Sequence, residues 1–336
     1  MNNAINSYTM DTQKVNPVRS KTTESSAQPL AGTSNGVKVV VTGGAGFIGS
    51  HLVDDLIEKG YEVRVVDNFV AGKKERLNPQ AILYEVDIRN FEKLAPIFSG
   101  AKFVFHTAAL PRVQPSIKDP RTTNEVNVGG TLNVLLAARD AGVCRVIYSS
   151  SSSVYGNQDQ LPLEERVEAR PLSPYGLQKY IGELKCRLFS ELYGVETVSL
   201  RYFNVYGPRA STEGPYALAI GRFLEQRKKG EPMTVVPDGN QSRDFTHVRD
   251  VVRANILAAQ SPKVGKGEAV NIGGGKNKTI TEVADLIGGP RVFIEPRIET
   301  KHTLADIRKA KELLGWEPMV KFEDGIAELK SLYGLV

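Results

Sequence analysis

The stretch Val39-Val40-Val41-Thr42-Gly43-Gly44-Ala45-Gly46-Phe47-Ile48-Gly49 runs a β-branched segment into three glycines at three-residue spacing, and helical periodicity follows. Few folds turn a strand into a helix that sharply. Glycines there let backbone come close to a ligand, and the unpaired N–H groups of the helix's first turn face an anionic phosphate. The feature predicts a parallel α/β architecture with its ligand at the carboxyl ends of the strands.

The rest of the chain agrees with that frame. Strand-like runs cover 37–42, 62–67, 82–86, 102–106, 145–150 and 197–203, with helical periodicity over 47–59, 91–99, 120–140 and 174–193. Strands separated by amphipathic helices demand right-handed crossovers and a parallel sheet covered on both faces. The predicted fold is α/β, a Rossmann-type doubly wound parallel sheet with a smaller α/β substrate-binding lobe. After residue 204 prolines and glycines shorten the elements, with helices expected near 217–229, 249–260, 279–286 and 304–314. The expected division is a dinucleotide-binding domain over 37–203, with 245–262 returning to it, and a substrate lobe over most of 204–336. Residues 1–36 are rich in Asn, Ser and Thr and poor in large apolar residues, which reads as a disordered leader.

The glycine turn needs a second element before it means a dinucleotide. Asp67 provides it at the end of the second strand, where a carboxylate accepts bonds from ribose hydroxyls. A carboxylate also repels the extra phosphate of NADP, so NAD is the expected cofactor, although Arg64 and Lys73-Lys74 lie close by in sequence. Gly43, Gly46 and Gly49, with Phe47 and Ile48 opening the helix, form the expected phosphate cradle. Asn68 follows Asp67, Asp87 and Ile88 end the third strand where adenine would lie, and Ala108 and Ala109 are small enough for backbone to pass near the pyrophosphate.

Tyr175 and Lys179 stand four residues apart, on one face of a helix whose start is marked by Ser173-Pro174. A tyrosine has a pKa of about 10 and is a poor base at neutral pH. Lowering that by roughly 3 takes about 4 kcal/mol of preferential stabilisation of the phenolate. The Lys179 ammonium and an oxidised nicotinamide are two cations able to supply it.

With these residues in view the chain resembles the extended short-chain dehydrogenase/reductase family, and within it the NAD-dependent nucleotide-sugar epimerases and dehydratases. The resemblance rests on TGGAGFIGSHL (42–52), HTAAL (106–110), NEVNVGGTLNVL (124–135), SSSSVYG (150–156), SPYGLQK (173–179), RYFNVYGPR (201–209), SRDFTHVRDV (242–251) and TLADIRKAKELLGW (303–316), in family order. It implies that Ser151 is the third catalytic group beside Tyr175 and Lys179, sharing a proton between sugar oxygen and phenolate. It also implies that Asn127 and Phe203 seat the nicotinamide half, that Asn204 holds the sugar or its phosphate, and that Arg243 and Arg297 clamp the diphosphate as charge-assisted forks.

The resemblance further sorts the reaction. Relatives that dehydrate or decarboxylate carry acidic residues just after the Ser151 position, where this chain has Ser152 and Ser153. A serine cannot replace such an acid or base, which leaves reversible oxidation at C4, that is, 4-epimerisation of a UDP-sugar by way of a transient 4-keto sugar. Thr303 lies where hexose-only relatives carry a bulky tyrosine, so room for an N-acetylhexosamine is expected. The alternatives are a UDP-glucuronate 4-epimerase, with Arg112 or Arg209 meeting the carboxylate, and a non-catalytic NAD-bound protein of the same fold. Apolar residues on 174–193 exceed one core-facing stripe (Leu177, Ile181, Leu184 and Leu188, extended by Tyr180, Phe189 and Leu192), and the family's usual homodimer is expected there.

Composition narrows the remaining classes. A net charge of +5, from 43 basic and 38 acidic residues spread along the chain, makes no nucleic-acid patch. No apolar run approaches the ~18 residues of a membrane span. Cys144 and Cys186 offer neither metal-ligand spacing nor a disulfide framework. A reduced cytoplasmic location without a metal is therefore the expectation.

Overall fold

The computed structural model describes residues 36–111, 113–212, 218–295 and 301–335, so the leader expected over 1–36 lies, apart from Gly36, outside the described residues. The chain begins β1 (Lys38–Thr42), α1 (Phe47–Glu58), β2 (Glu62–Asp67), β3 (Ile82–Glu85), α2 (Phe91–Leu94), β4 (Phe103–His106), α3 (Val113–Lys118), α4 (Pro120–Asn124) and α5 (Thr131–Asp140). It continues β5 (Arg145–Ser151), α6 (Pro174–Tyr193), β6 (Glu196–Tyr202), β7 (Val205–Tyr206), α7 (Ala219–Lys228), β8 (Met233–Val235), β9 (Ser242–Asp244), β10 (Thr246–His247) and α8 (Val248–Gln260). The last elements are β11 (Lys266–Ile272), β12 (Asn277–Thr279), α9 (Ile280–Ile287), β13 (Arg291–Phe293), α10 (Arg308–Leu314) and α11 (Phe322–Leu332).

Seven strands form one parallel sheet in the order β11-β6-β5-β4-β1-β2-β3. Strand order reverses between β1 and β4, which opens a crevice at their carboxyl ends. Period-2 alternation sends Val39, Val41, Val63 and Phe105 to one face under α1, α8 and α10. Val40, Val66, Val104 and Val146 go to the other face, under α5 and α6. Both faces of the central strands are covered, as a parallel sheet requires, and the edge strand β3 is partly exposed. A separate core of Ile220, Phe223, Leu224, Met233, Val283 and Ile326 joins α7, α9 and α11 outside the sheet.

Three departures from the sequence reading have physical reasons. The sheet takes more of the C-terminal half than the expected 245–262, because β11 pairs with β6, and α10 and Trp316 pack beside α8. The single helix expected over 120–140 is interrupted by a wide π turn at Glu125–Gly130, which turns Asn127 inward; its amide bonds Leu110 O at 3.0 Å and Gln178 Oε1 at 2.8 Å. The helix expected over 304–314 starts only at Arg308, since 303–306 is held extended against Ser242 and Leu163. No helix among the described residues is long and apolar enough to cross a membrane.

Candidate active site

The glycine turn joins β1 to α1 at the crevice. Gly43 has φ +73°, and a Cβ there would stand 2.7 Å from Ala108 Cα, so the β1 and β4 loops meet only because position 43 lacks a side chain. A Cβ on Gly49 would overlap the Gly43 carbonyl oxygen. Gly46 N donates to that same carbonyl at 3.0 Å, which closes the turn. The cradle and its bare backbone fit a pyrophosphate. Gly49→Ala is accordingly expected to weaken NAD binding at least 10-fold, read by titrating NAD into the stripped, still folded protein.

Asp67, at the end of β2, accepts Ala45 N at 2.9 Å and Phe69 N at 2.8 Å. Burial pushes its carboxyl up, and these backbone donors oppose that. Its remaining lone pairs suit ribose hydroxyls. Arg64, a residue that could have favoured a phosphorylated ribose, points elsewhere, donating to Ile97 O and Ser99 O at 2.8 Å each. Asn68 is exposed and donates to Asp87 Oδ2 at 2.9 Å. Asp87 is clamped by Arg89 at 2.8 Å, whose hydrogen bonds hold its carboxyl below the usual range.

Three residues expected to seat the cofactor have buried side chains. The Ile88 side chain fills the core, where a Cβ on Gly130 would meet it at 2.5 Å, which leaves its backbone to face an adenine. Phe203 is 0% exposed and packs on Tyr155. Asn127 is likewise buried, and its side-chain oxygen accepts Leu110 N at 2.8 Å; it braces the β4 loop against α6.

The catalytic candidates converge where β5 ends. Ser173 caps α6 by accepting Gly176 N at 3.2 Å, and Pro174 follows, so Tyr175 stands half-buried in the first turn. Tyr175 N donates to Ser116 Oγ of α3 at 3.1 Å. Lys179 is buried one turn on; its Nζ donates to Ser149 O at 2.7 Å and lies 5.9 Å from the Tyr175 ring centroid. Burial pushes the Lys179 ammonium down to about 8. Ser151 Oγ accepts Ser153 N at 3.1 Å and starts the turn that leaves β5. That turn lies on the first turn of α6, because a Cβ at Gly176 would meet Ser153 O at 2.5 Å.

Opposite, Asn204 at φ +29° donates to Asp244 O at 2.9 Å and to Thr303 Oγ1 at 3.3 Å. Arg243 donates to Ser242 O and Lys301 O, each at 3.1 Å, so Asn204, Arg243 and Thr303 belong to one cluster. Arg297 and Arg112 lie outside the described residues. Arg209 pairs with Asp54 of α1 at 2.7 Å.

Sequence reasoning missed the buried charges. Arg201 of β6 pairs with Glu183 of α6 at 2.7 Å, and Glu183 also accepts Ser150 Oγ at 2.5 Å. Asp244, pushed up to about 6 by burial, accepts the N–H groups of Gly274, Gly275 and Ala305. A charged residue inside the apolar run of β6 was the available signal for the first.

The site has counterparts among known proteins. The NAD dependent epimerase/dehydratase family matches residues 39–273. A UDP-glucose 4-epimerase structure from Thermotoga maritima, with UDP-glucose, aligns at TM-score 0.85 and 39% identity, covering 89% of this chain and 98% of that one. A UDP-N-acetylglucosamine 4-epimerase from Methanobrevibacter ruminantium, in complex with UDP-N-acetylmuramic acid, aligns at TM-score 0.85 and 36% identity over 90% of this chain and 100% of that one. A UDP-glucuronate 4-epimerase from Thermodesulfobacterium geofontis is 36% identical over 85% of this chain and 93% of its own length.

Proposed function

The chain belongs to the NAD dependent epimerase/dehydratase family, and from that premise we propose that it inverts C4 of UDP-glucose, UDP-galactose or a UDP-N-acetylhexosamine through a transient 4-keto sugar. The observation that carries this reading is that Lys179 Nζ donates to Ser149 O, two residues before Ser151 at the end of β5, and lies 5.9 Å from the Tyr175 ring centroid, with serines rather than acids at 152 and 153. Bound NAD supplies the hydride acceptor and returns the hydride, so nothing is consumed.

The chain's own residues manage the proton and the sugar. Gly43, Gly46, Gly49, Asp67 and the Ala108-Ala109 backbone hold the cofactor. Tyr175 takes the proton of the sugar 4-hydroxyl, Ser151 bridges that oxygen and the phenol, and the Lys179 charge favours the phenolate. Arg243 and Arg297 hold the diphosphate, Asn204 the adjoining sugar, and the keto sugar turns about its diphosphate linkage before reduction on its other face. Thr303 is small and set back, 7% exposed, which suits a 2-acetamido group. The Arg209 guanidinium is engaged by Asp54, which leaves Arg112, outside the described residues, as the cation a uronate would call on.

The outward face of α6 carries Leu177, Leu184, Leu188 and Leu192, from 39% to 59% exposed. We take this stripe as a homodimer interface, while Phe189, expected there, is buried in the core. Light scattering at micromolar concentration should report a dimer, and Leu184→Glu with Leu188→Glu a monomer; a wild-type monomer removes the assignment.

Incubation with UDP-glucose, UDP-N-acetylglucosamine and UDP-glucuronate separately, resolved by anion-exchange chromatography, tests the reaction. The 4-epimer of one of the first two is expected. Conversion of the glucuronate alone would transfer the assignment to the uronate, and three unchanged sugars would overturn it.

A further inference from the structure

Lys179 is 3% exposed, and its ammonium has three N–H donors to place. One goes to the Ser149 carbonyl. Against another side lies the ring of Tyr148, the preceding residue of β5, with Nζ 4.9 Å from the ring centroid. Tyr148 is itself 1% exposed. It reaches this place because Gly182, one turn beyond Lys179 on α6, has no side chain; a Cβ there would overlap the Tyr148 phenol. A desolvated ammonium over an aromatic face is held by the ring quadrupole more strongly than one in water.

The nearby Glu183 charge also favours the Lys179 ammonium, but it makes no direct contact, and the other groups facing Lys179 do not do this work. His106 of β4 is kept neutral by burial, with its pKa pushed down to about 3. Cys186 of α6 is kept a thiol, pushed up to about 12 by burial. Glu183 gives its oxygens to Arg201 and Ser150. Tyr175, on the same helix, is the reacting phenol itself, and among the described residues no carboxylate pairs with Lys179 directly.

We infer that Tyr148 is a positioning residue, whose ring face holds the Lys179 ammonium charged and in place beside Tyr175. The inference rests on reading Tyr175 and Lys179 as the proton-handling pair. It reaches further than that reading because it assigns a role to a side chain that touches neither sugar nor cofactor.

The test separates the ring's face from its bulk and its hydroxyl. Tyr148→Phe keeps the face, Tyr148→Met keeps most of the bulk, and pentafluorophenylalanine at position 148 keeps the shape while reversing the polarity of the face. Lys179 is titrated by NMR in the full chain with ¹³Cε-labelled lysine, its resonance identified by its loss in Lys179→Met. Wild type and Tyr148→Phe should titrate together, with the methionine and fluorinated proteins about one pH unit lower. The alkaline limb of kcat should move with them while KM stays put. An unmoved Lys179 titration in the folded fluorinated protein overturns the inference, as does a moved titration with an unmoved limb. A moved titration in a protein that epimerises no sugar leaves the ring–ammonium contact standing and overturns the functional reading instead.

Discussion

Tyr175→Phe is expected to lower kcat by about 10²–10⁴-fold, the range general acid–base groups contribute, while leaving KM and NAD binding nearly unchanged. Tyr175 stands in the first turn of α6 with its backbone N–H held by Ser116, so removing the phenol oxygen leaves the helix and the cradle as they are. Residual activity within 3-fold of wild type would move the base elsewhere. The wild-type pH profile carries the same logic. Activity rises as the phenol ionises and falls as Lys179 loses its proton near its value of about 8, because the neutral amine no longer favours the phenolate. The two limbs belong to the coupled pair rather than to either group alone.

Arg201→Met is expected to destabilise the fold by about 3–5 kcal/mol, because it strands a buried carboxylate. Both side chains of the pair are nearly dry, 5% exposed for Arg201 and 6% for Glu183. The guanidinium is held above even its usual range by the Glu183 carboxylate despite the opposing effect of burial. Urea unfolding measures the loss, and a change within 1 kcal/mol would show that water reaches the carboxylate. Adding Glu183→Leu should recover most of the stability, since an apolar pair of similar volume is often neutral or better. Activity should not recover with it. Glu183 ties Ser150 to α6, and that tie sets where Ser151 stands relative to Tyr175.

Much of the site is legible in the sequence. The spacing of Gly43, Gly46 and Gly49 after a β-branched run implied a strand turning into a helix, and the Cβ overlaps at 43 and 49 show why no other residue serves. Ser173-Pro174 marked the start of α6. The burial of the Ile88 and Phe203 side chains was not legible, because strand-end residues alternate between ligand and core, and which way a side chain points depends on what packs beneath it. The apolar residues of α6 divide between two faces. Its leucines face outward, while the face it buries carries Lys179 and Glu183.

By itself, the sequence determined what local physics governs: the β–α alternation, the glycine turn, the carboxylate at the end of β2 and the four-residue spacing of Tyr175 and Lys179. Each follows from periodicity or backbone freedom within a few residues. The tertiary structure alone decided that β11 completes the sheet beside β6, that Asn127 turns inward, that Arg201 meets Glu183, and that Lys179 loses its water against Tyr148. Those outcomes depend on desolvation and on pairing between segments remote in the chain. A residue's neighbours in sequence carry no record of either.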